Sequence, residues 1–146
     1  MAANCRFAFG VHVLSVLALS PDQTVSSEAL ARTVNTNAVV IRRLLLELKA
    51  AGLITTQRGP GGGTRLAKPA SEITLAEIHR CAAGEIEIFG AHPNQPSQCC
   101  PVGREIRGVL EQISARANDA ARREFEAVTL ADVAAQIKGA PGSIIA

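Results

Sequence analysis

Tryptophan and tyrosine are absent from this 146-residue chain, and four phenylalanines are its only aromatic side chains. A core without large rings must be filled by aliphatic residues and alanine, which favours packed helices over a β-sandwich. Also missing is an uninterrupted apolar run of the ~18–20 residues that a membrane span requires. Arg6 followed by Phe7–Leu19 superficially resembles a secretory leader with a poor cleavage site at Ala18-Leu19-Ser20, but His12 and Ser15 interrupt it. The expected location is the cytoplasm, with no membrane partner. There, four cysteines point to reactive or metal-binding thiols rather than structural disulfides. No nucleophile–base set, carboxylate pair or metal motif stands out, so an enzyme is not expected.

Apolar residues make up 47% of the chain, which argues against disorder, and the length fits about one domain. The net charge of +2 is small, but its distribution is uneven. Residues 37–68 hold Arg42, Arg43, Lys49, Arg58, Arg65 and Lys68 against Glu47 alone, a local +5 that leaves −3 for the remainder. A basic segment in an acidic background is the electrostatic footprint of a nucleic-acid contact face.

Asn4 can cap a first helix over about Cys5–Leu19, with Phe7, Val11, Leu14 and Ala18 on one apolar stripe. Pro21-Asp22 ends it. Ser26 or Ser27 caps a short second helix with Leu30 and Val34 inward. Asn35-Thr36-Asn37 then forms the turn of a helix-turn-helix, and Asn37 caps the third helix. There Ile41, Leu44, Leu45 and Leu48 follow the i, i+3, i+4, i+7 spacing and must face the core. The opposite face collects Val39, Arg43, Leu46, Glu47 and Ala50, with Arg42 on its flank. Asn37, Val39, Arg42 and Arg43 therefore lie in the turns that reach base edges when such a helix enters a major groove. Arg can donate a bidentate pair to guanine, and Val39 can pack on a thymine methyl.

Gly52 stops this helix. A hairpin follows: Leu53–Gln57, the turn Arg58-Gly59-Pro60-Gly61-Gly62-Gly63, and Thr64–Ala67. A phosphate-cradling enzyme loop would need a helix N-terminus, usually with GK[ST], directly after the glycines, whereas Thr64-Arg65-Leu66 reads as strand. The expected DNA-contacting set is thus Asn37, Val39, Arg42 and Arg43 on the helix, with Arg58, Gly61, Gly62, Thr64 and Arg65 on the wing. Thr74-Leu75-Ala76-Glu77 opens a fourth helix as a capping box. After a broken stretch rich in Pro, Asn and Gln, a long helix runs from about Arg104 to Glu126. Its apolar positions Ile106, Leu110, Ile113 and Ala117 alternate four and three apart, with Val109 beside them, and this seam is expected to pair with a second subunit. Thr129-Leu130-Ala131-Asp132 opens a last helix. The expected fold is mainly α: a winged helix-turn-helix over 1–83, a sensor-like cysteine loop over 84–103, a dimerisation helix and terminal helix over 104–138, and a flexible tail over 139–146.

Several stretches resemble the bacterial winged helix-turn-helix regulators of the IscR/NsrR family, which includes iron–sulfur cluster regulators and nitric-oxide-responsive repressors. The matching residues are Leu30-Ala31, Leu44–Leu48, Ala51-Gly52-Leu53-Ile54, Arg58 to Gly63, Leu66-Ala67, Ile73-Thr74-Leu75 and Cys100-Pro101-Val102-Gly103, within a resemblance that covers about 5–137. It implies a homodimeric transcriptional regulator, read here as a repressor, that binds a palindromic double-stranded DNA operator with half-sites roughly 34–36 Å apart. By position it puts the base contacts on Val39 and Arg42 and the wing arginine at Arg58. Val39 and Arg42 stand where the cluster regulator carries polar and acidic side chains, so its operator sequence does not transfer.

The cysteines depart from the pattern as well. Cluster-binding members present three cysteines a few residues apart before the long helix. This chain has only the adjacent Cys99-Cys100 there, with Cys81 far upstream. Adjacent thiolates are poorly placed to hold separate corners of one cluster, so no cofactor or metal is expected. Oxidation of Cys99 or Cys100, pairing with Cys5 or with the other subunit, is the expected control, and a small ligand is the alternative. A zinc site from Cys99 or Cys100 with His92 lacks the usual spacing. A different function for the same fold, a winged helix that docks protein instead of DNA, is disfavoured by the local +5.

Overall fold

The computed structural model describes residues 3–139, and its first helix, α1 (Ala3–Ala18), is the element around which the others assemble. It packs against four further helices and the wing. Val13, Leu14, Val16 and Leu17 are therefore all buried, a far wider face than the single stripe expected, of which only Leu14 is fully covered. Ser15 is buried among them, and its hydroxyl donates to the Val11 carbonyl at 2.7 Å, so no polar group is stranded. Gly10 lets a later helix cross closely, since a Cβ there would stand 3.1 Å from the Ile78 side chain. The helix starts before Asn4, which lies within its first turn and is not its cap.

Two short helices form the helix-turn-helix. In α2 (Ser27–Val34), Ser26 caps the start by accepting from the Ala29 N–H at 3.1 Å. At its end Asn35 adopts a left-handed φ of 59°. The N–H groups of Asn35 and Thr36 return to the Arg32 and Ala31 carbonyls, which satisfies the helix end and turns the chain at once. Asn37 then caps α3 (Ala38–Ala50), its Oδ1 accepting from the Val39 N–H at 2.7 Å. Ile41, Leu44, Leu45 and Leu48 are all buried, as their spacing requires. Burial of such side chains contributes ~1.5–3 kcal/mol each, so this face fixes the rotation of α3 about its axis.

Gly52, with φ 74°, ends α3. The wing is β1 (Ile54–Gln57) antiparallel to β2 (Gly63–Leu66), with Ile54 opposite Leu66 and Gln57 opposite Gly63. Near its turn end, β2 is tied to the body by Val25, which exchanges two backbone hydrogen bonds with Thr64 at 2.9 and 3.0 Å.

After a 3-10 turn at Ala70–Glu72, the Thr74/Glu77 capping box opens α4 (Leu75–Ala83). Residues 84–100 are irregular and lead into α5 (Pro101–Ala127), which starts three residues earlier than expected. Proline at the first helical position loses no hydrogen bond, since the first turn's N–H groups have no helical partner. A second capping box, Thr129/Asp132, opens α6 (Leu130–Ile137). This last helix returns to the body: the Leu130 N–H donates to the Ile73 carbonyl at 2.8 Å, and Leu130 is buried in the same core as α1. Of the expected tail, all but Gly139 lies outside the described residues.

Candidate nucleic-acid interface

The buried face of α3 forces its other side outward. Val39 is 57% exposed and Leu46 70%, and Arg42 and Arg43 stand in solvent with them. Glu47, the single acid of the basic segment, turns away and pairs with Arg6 of α1. Leu46 was not among the expected contacts, yet a large apolar side chain this exposed on a basic helix is a candidate for apolar contact with a base. Asn37 spends its carbonyl oxygen on the helix cap, which leaves its amide N–H groups to donate.

Arg42 is not free. Its Nη2 pairs with the Glu28 carboxylate and its Nε donates to Ser27 Oγ at 3.3 Å, both at the start of α2. The Glu28 carboxyl is held below its ordinary value by a backbone N–H, then by Arg42 and Ser27. Counting charge along 37–68 missed this pairing, because Glu28 lies outside the window and meets Arg42 only through the helix-turn-helix fold.

The wing adjoins this face: Lys49 Nζ at the end of α3 donates to Thr56 Oγ1 of β1 at 2.9 Å. Arg58 is exposed at the tip and Arg65 on β2, opposite Thr55. The tip needs its glycines. Gly59 and Gly61 take φ values of 91° and 73°, and a Cβ on Gly62 would fall 2.3 Å from the Gln57 carbonyl oxygen. Thr24, before α2, donates through its hydroxyl to the Gly61 carbonyl at 2.9 Å and steadies the tip. Thr64 is a correction. It was expected to contact DNA, but it is 3% exposed, and its backbone N–H and carbonyl are both engaged by Val25. The strand turns its side chain into the body while Arg65 points out.

No residue of α5 is fully buried, and Val102, Val109, Leu110 and Ile113 are exposed large apolar side chains on it, with Ile106 and Ala117 half-covered. Near its C-terminal end, Phe125 stacks on Phe7 of α1 at 5.1 Å, with His79 of α4 against both rings. Cys99, Cys100 and Cys5 are exposed, and Cys100 stands at the position just before α5 without a side-chain capping bond. Cys81 lies apart, in a cleft with Arg6, Glu47 and Arg80, where burial and then the Glu47 charge push its thiol up. Among the described residues, no three His, Cys, Asp or Glu side chains converge as metal ligands do. Cys99 and Cys100 are adjacent in the chain, whereas an iron–sulfur cluster calls for separately placed thiolates.

Residues 3–136 match the Rrf2 family model, described as iron-dependent transcriptional regulators. YwnA of Bacillus subtilis, named as an HTH-type transcriptional regulator, is 36% identical over 130 residues, spanning 89% of this chain and 95% of YwnA. The HTH-type regulator NsrR of Halalkalibacterium halodurans is 30% identical over 128 residues, with 86% and 84% covered. A solved structure described as a DNA-binding protein superposes with a TM-score of 0.69 at 32% identity, over 88% of this chain and 97% of that one. Because the match runs through recognition helix, wing and long helix alike, the chain belongs to the Rrf2 family of bacterial transcriptional regulators, which carry a DNA-binding fold and are not enzymes.

Proposed function

We propose that the chain is a homodimeric repressor that binds a palindromic operator and occludes it. The observation that carries this reading is the exposed basic face of α3 beside a glycine wing tipped by Arg58, on a subunit whose longest helix leaves an apolar stripe uncovered. Two copies joined along α5 present two recognition helices, one per half-site. Asn37, Val39, Arg42 and Arg43 then face the major groove, while Arg58, Gly61, Gly62 and Arg65 follow the backbone into the neighbouring minor groove.

No cluster or metal is assigned to the protein. Control falls to the exposed thiols. A peroxide takes two electrons and two protons from a pair of them, Cys99 or Cys100 with Cys5 or with a thiol of the second subunit, forming one S–S bond while its own O–O bond is reduced. The change would act at the start of α5, where the two subunits meet, in the reducing cytoplasm that otherwise keeps the thiols free.

Gel-shift titration on the DNA upstream of the chain's own gene tests the reading. The slope of log affinity against log salt should be steep, roughly −0.9 per phosphate neutralised. Arg58→Ala should weaken binding on every sequence, while Arg42→Ala should cost ~1–3 kcal/mol on the operator alone. A flat salt slope with no preferred sequence removes the proposal. Thiol counting before and after peroxide should show two thiols lost per S–S bond formed.

A further inference from the structure

The contacts of Arg42 decide how it meets DNA. A guanidinium has five N–H donors in one plane. Here Nε–H points to Ser27 Oγ, and Nη2 uses one hydrogen on Glu28. Nε–H and the neighbouring hydrogen of Nη2 make up the side-on edge of that plane, which can hold both partners. What remains is the end-on fork, the parallel outer N–H groups of Nη1 and Nη2, whose spacing matches O6 and N7 of guanine. The pair with Glu28 therefore does not consume the reading edge; it orients it.

The support is itself held. Ser27 and Glu28 are the first two residues of α2, a helix capped by Ser26 and turned onto α3 by Asn35. Ser27 also donates to the second Glu28 oxygen at 3.2 Å, so hydroxyl, carboxylate and guanidinium form one connected set. Arg42 and Glu28 side chains are each 54% exposed, which leaves room for a base on the open side. Arg43, one position on, is exposed and makes no ion pair among the described residues, so its charge is open to a phosphate.

We propose that Glu28, assisted by Ser27, is a positioning residue for base recognition, holding Arg42 with its outer fork aimed at one guanine in each half-site. This rests on the reading that α3 enters the major groove. Glu28 never touches DNA in this arrangement. It acts by fixing a long side chain before binding, so that less rotamer freedom is lost when the fork meets its base.

The test uses the full chain, a duplex that the wild type selects from a random pool, and a panel of its single-base-pair variants, titrated by fluorescence anisotropy at one salt concentration. Arg42→Ala should abolish discrimination at one base pair per half-site. Glu28→Gln should cut discrimination at that same pair by about tenfold, within the range a bidentate contact supplies. It should leave the salt slope and the other positions unchanged, and binding to random duplex unchanged or slightly tighter. Ser27→Ala should show a smaller loss at the same pair. If Glu28→Gln instead tightens operator and random duplex equally with an unaltered base profile, Glu28 is an electrostatic brake and the positioning role is wrong. If Arg42→Ala leaves the profile unaltered, the docking of α3 fails, and the inference with it.

Discussion

Ile113 offers the sharpest test of assembly because it is 53% exposed on α5, midway along a 27-residue helix that buries no side chain fully within its own subunit. Burying an isoleucine completely is worth ~1.5–3 kcal/mol, so covering the exposed half gains ~1 kcal/mol per copy. A twofold interface uses the position twice, giving ~2 kcal/mol per dimer, or roughly 30-fold in Kd. Ile113→Glu removes that gain and also places a carboxylate against an apolar seam, so the dissociation constant should rise at least ~100-fold. Sedimentation equilibrium across a wide concentration range reads this directly. Because the side chain is already half in solvent, far-UV circular dichroism of the variant should match the wild type. Operator affinity should fall by more than one arginine contact can account for, since two separate half-site bindings replace one linked event at high effective concentration. A variant that still sediments as a dimer with the wild-type constant would refute pairing through this seam.

Other expectations follow from local geometry. Gly62→Ala forces a Cβ within 2.3 Å of the Gln57 carbonyl oxygen and 2.8 Å of the Gly59 carbonyl oxygen; the wing tip must open, so DNA affinity should drop while the helical signal by circular dichroism stays unchanged. Cys81 should be the slowest of the four thiols to alkylate near pH 8, because burial and the Glu47 charge raise its pKa and reduce its thiolate; peptide mass spectrometry after timed iodoacetamide would contradict this by finding Cys81 modified first. Burial pushes the Glu77 carboxyl up, but hydrogen bonds from Lys68 and the Thr74 N–H outweigh it and hold the group below its ordinary 4.5. Its contribution to stability is therefore fully present above 4.5 and lost as pH falls through the lowered value, so Glu77→Gln should flatten the acid limb of a stability–pH curve and leave a smaller difference at its acid end than at neutral pH.

What the sequence disclosed was governed by how local each signal is. The four leucine and isoleucine positions that orient α3 sit within one helical period of each other, and the glycine turn announces its own hairpin, so both were legible. The capping boxes at Thr74 and Thr129 are four-residue signals and were read correctly too. Thr64 was misread because its burial depends on Val25, about forty positions upstream, meeting β2 through a single isolated bridge. A four-residue strand carries too few alternations to reveal which face is covered. The extent of α1 burial was hidden for a similar reason. One apolar stripe is what a helix at the surface needs, whereas α1 is enclosed from several sides by elements that include α6, more than a hundred residues later.

The Arg42 contact shows why charge counted along a chain is a weak guide to the charge on a surface. Within 37–68 the only acid was Glu47, which the fold directs to Arg6 and away from the exposed face. The acid that matters there, Glu28, lies on α2, and the left-handed Asn35 turn is what carries it to Arg42. The net charge at that point is therefore close to zero, and on the proposed docking the attraction for phosphate would fall to Arg43, Arg58, Arg65 and Lys49 instead. On that docking the helix would separate two tasks: unpaired cations would supply affinity that depends on salt, and a paired, oriented guanidinium would supply choice of base at little electrostatic gain. That separation ties specificity to the packing of α2 on α3, so a change that shifts α2 should relax base preference before it weakens binding.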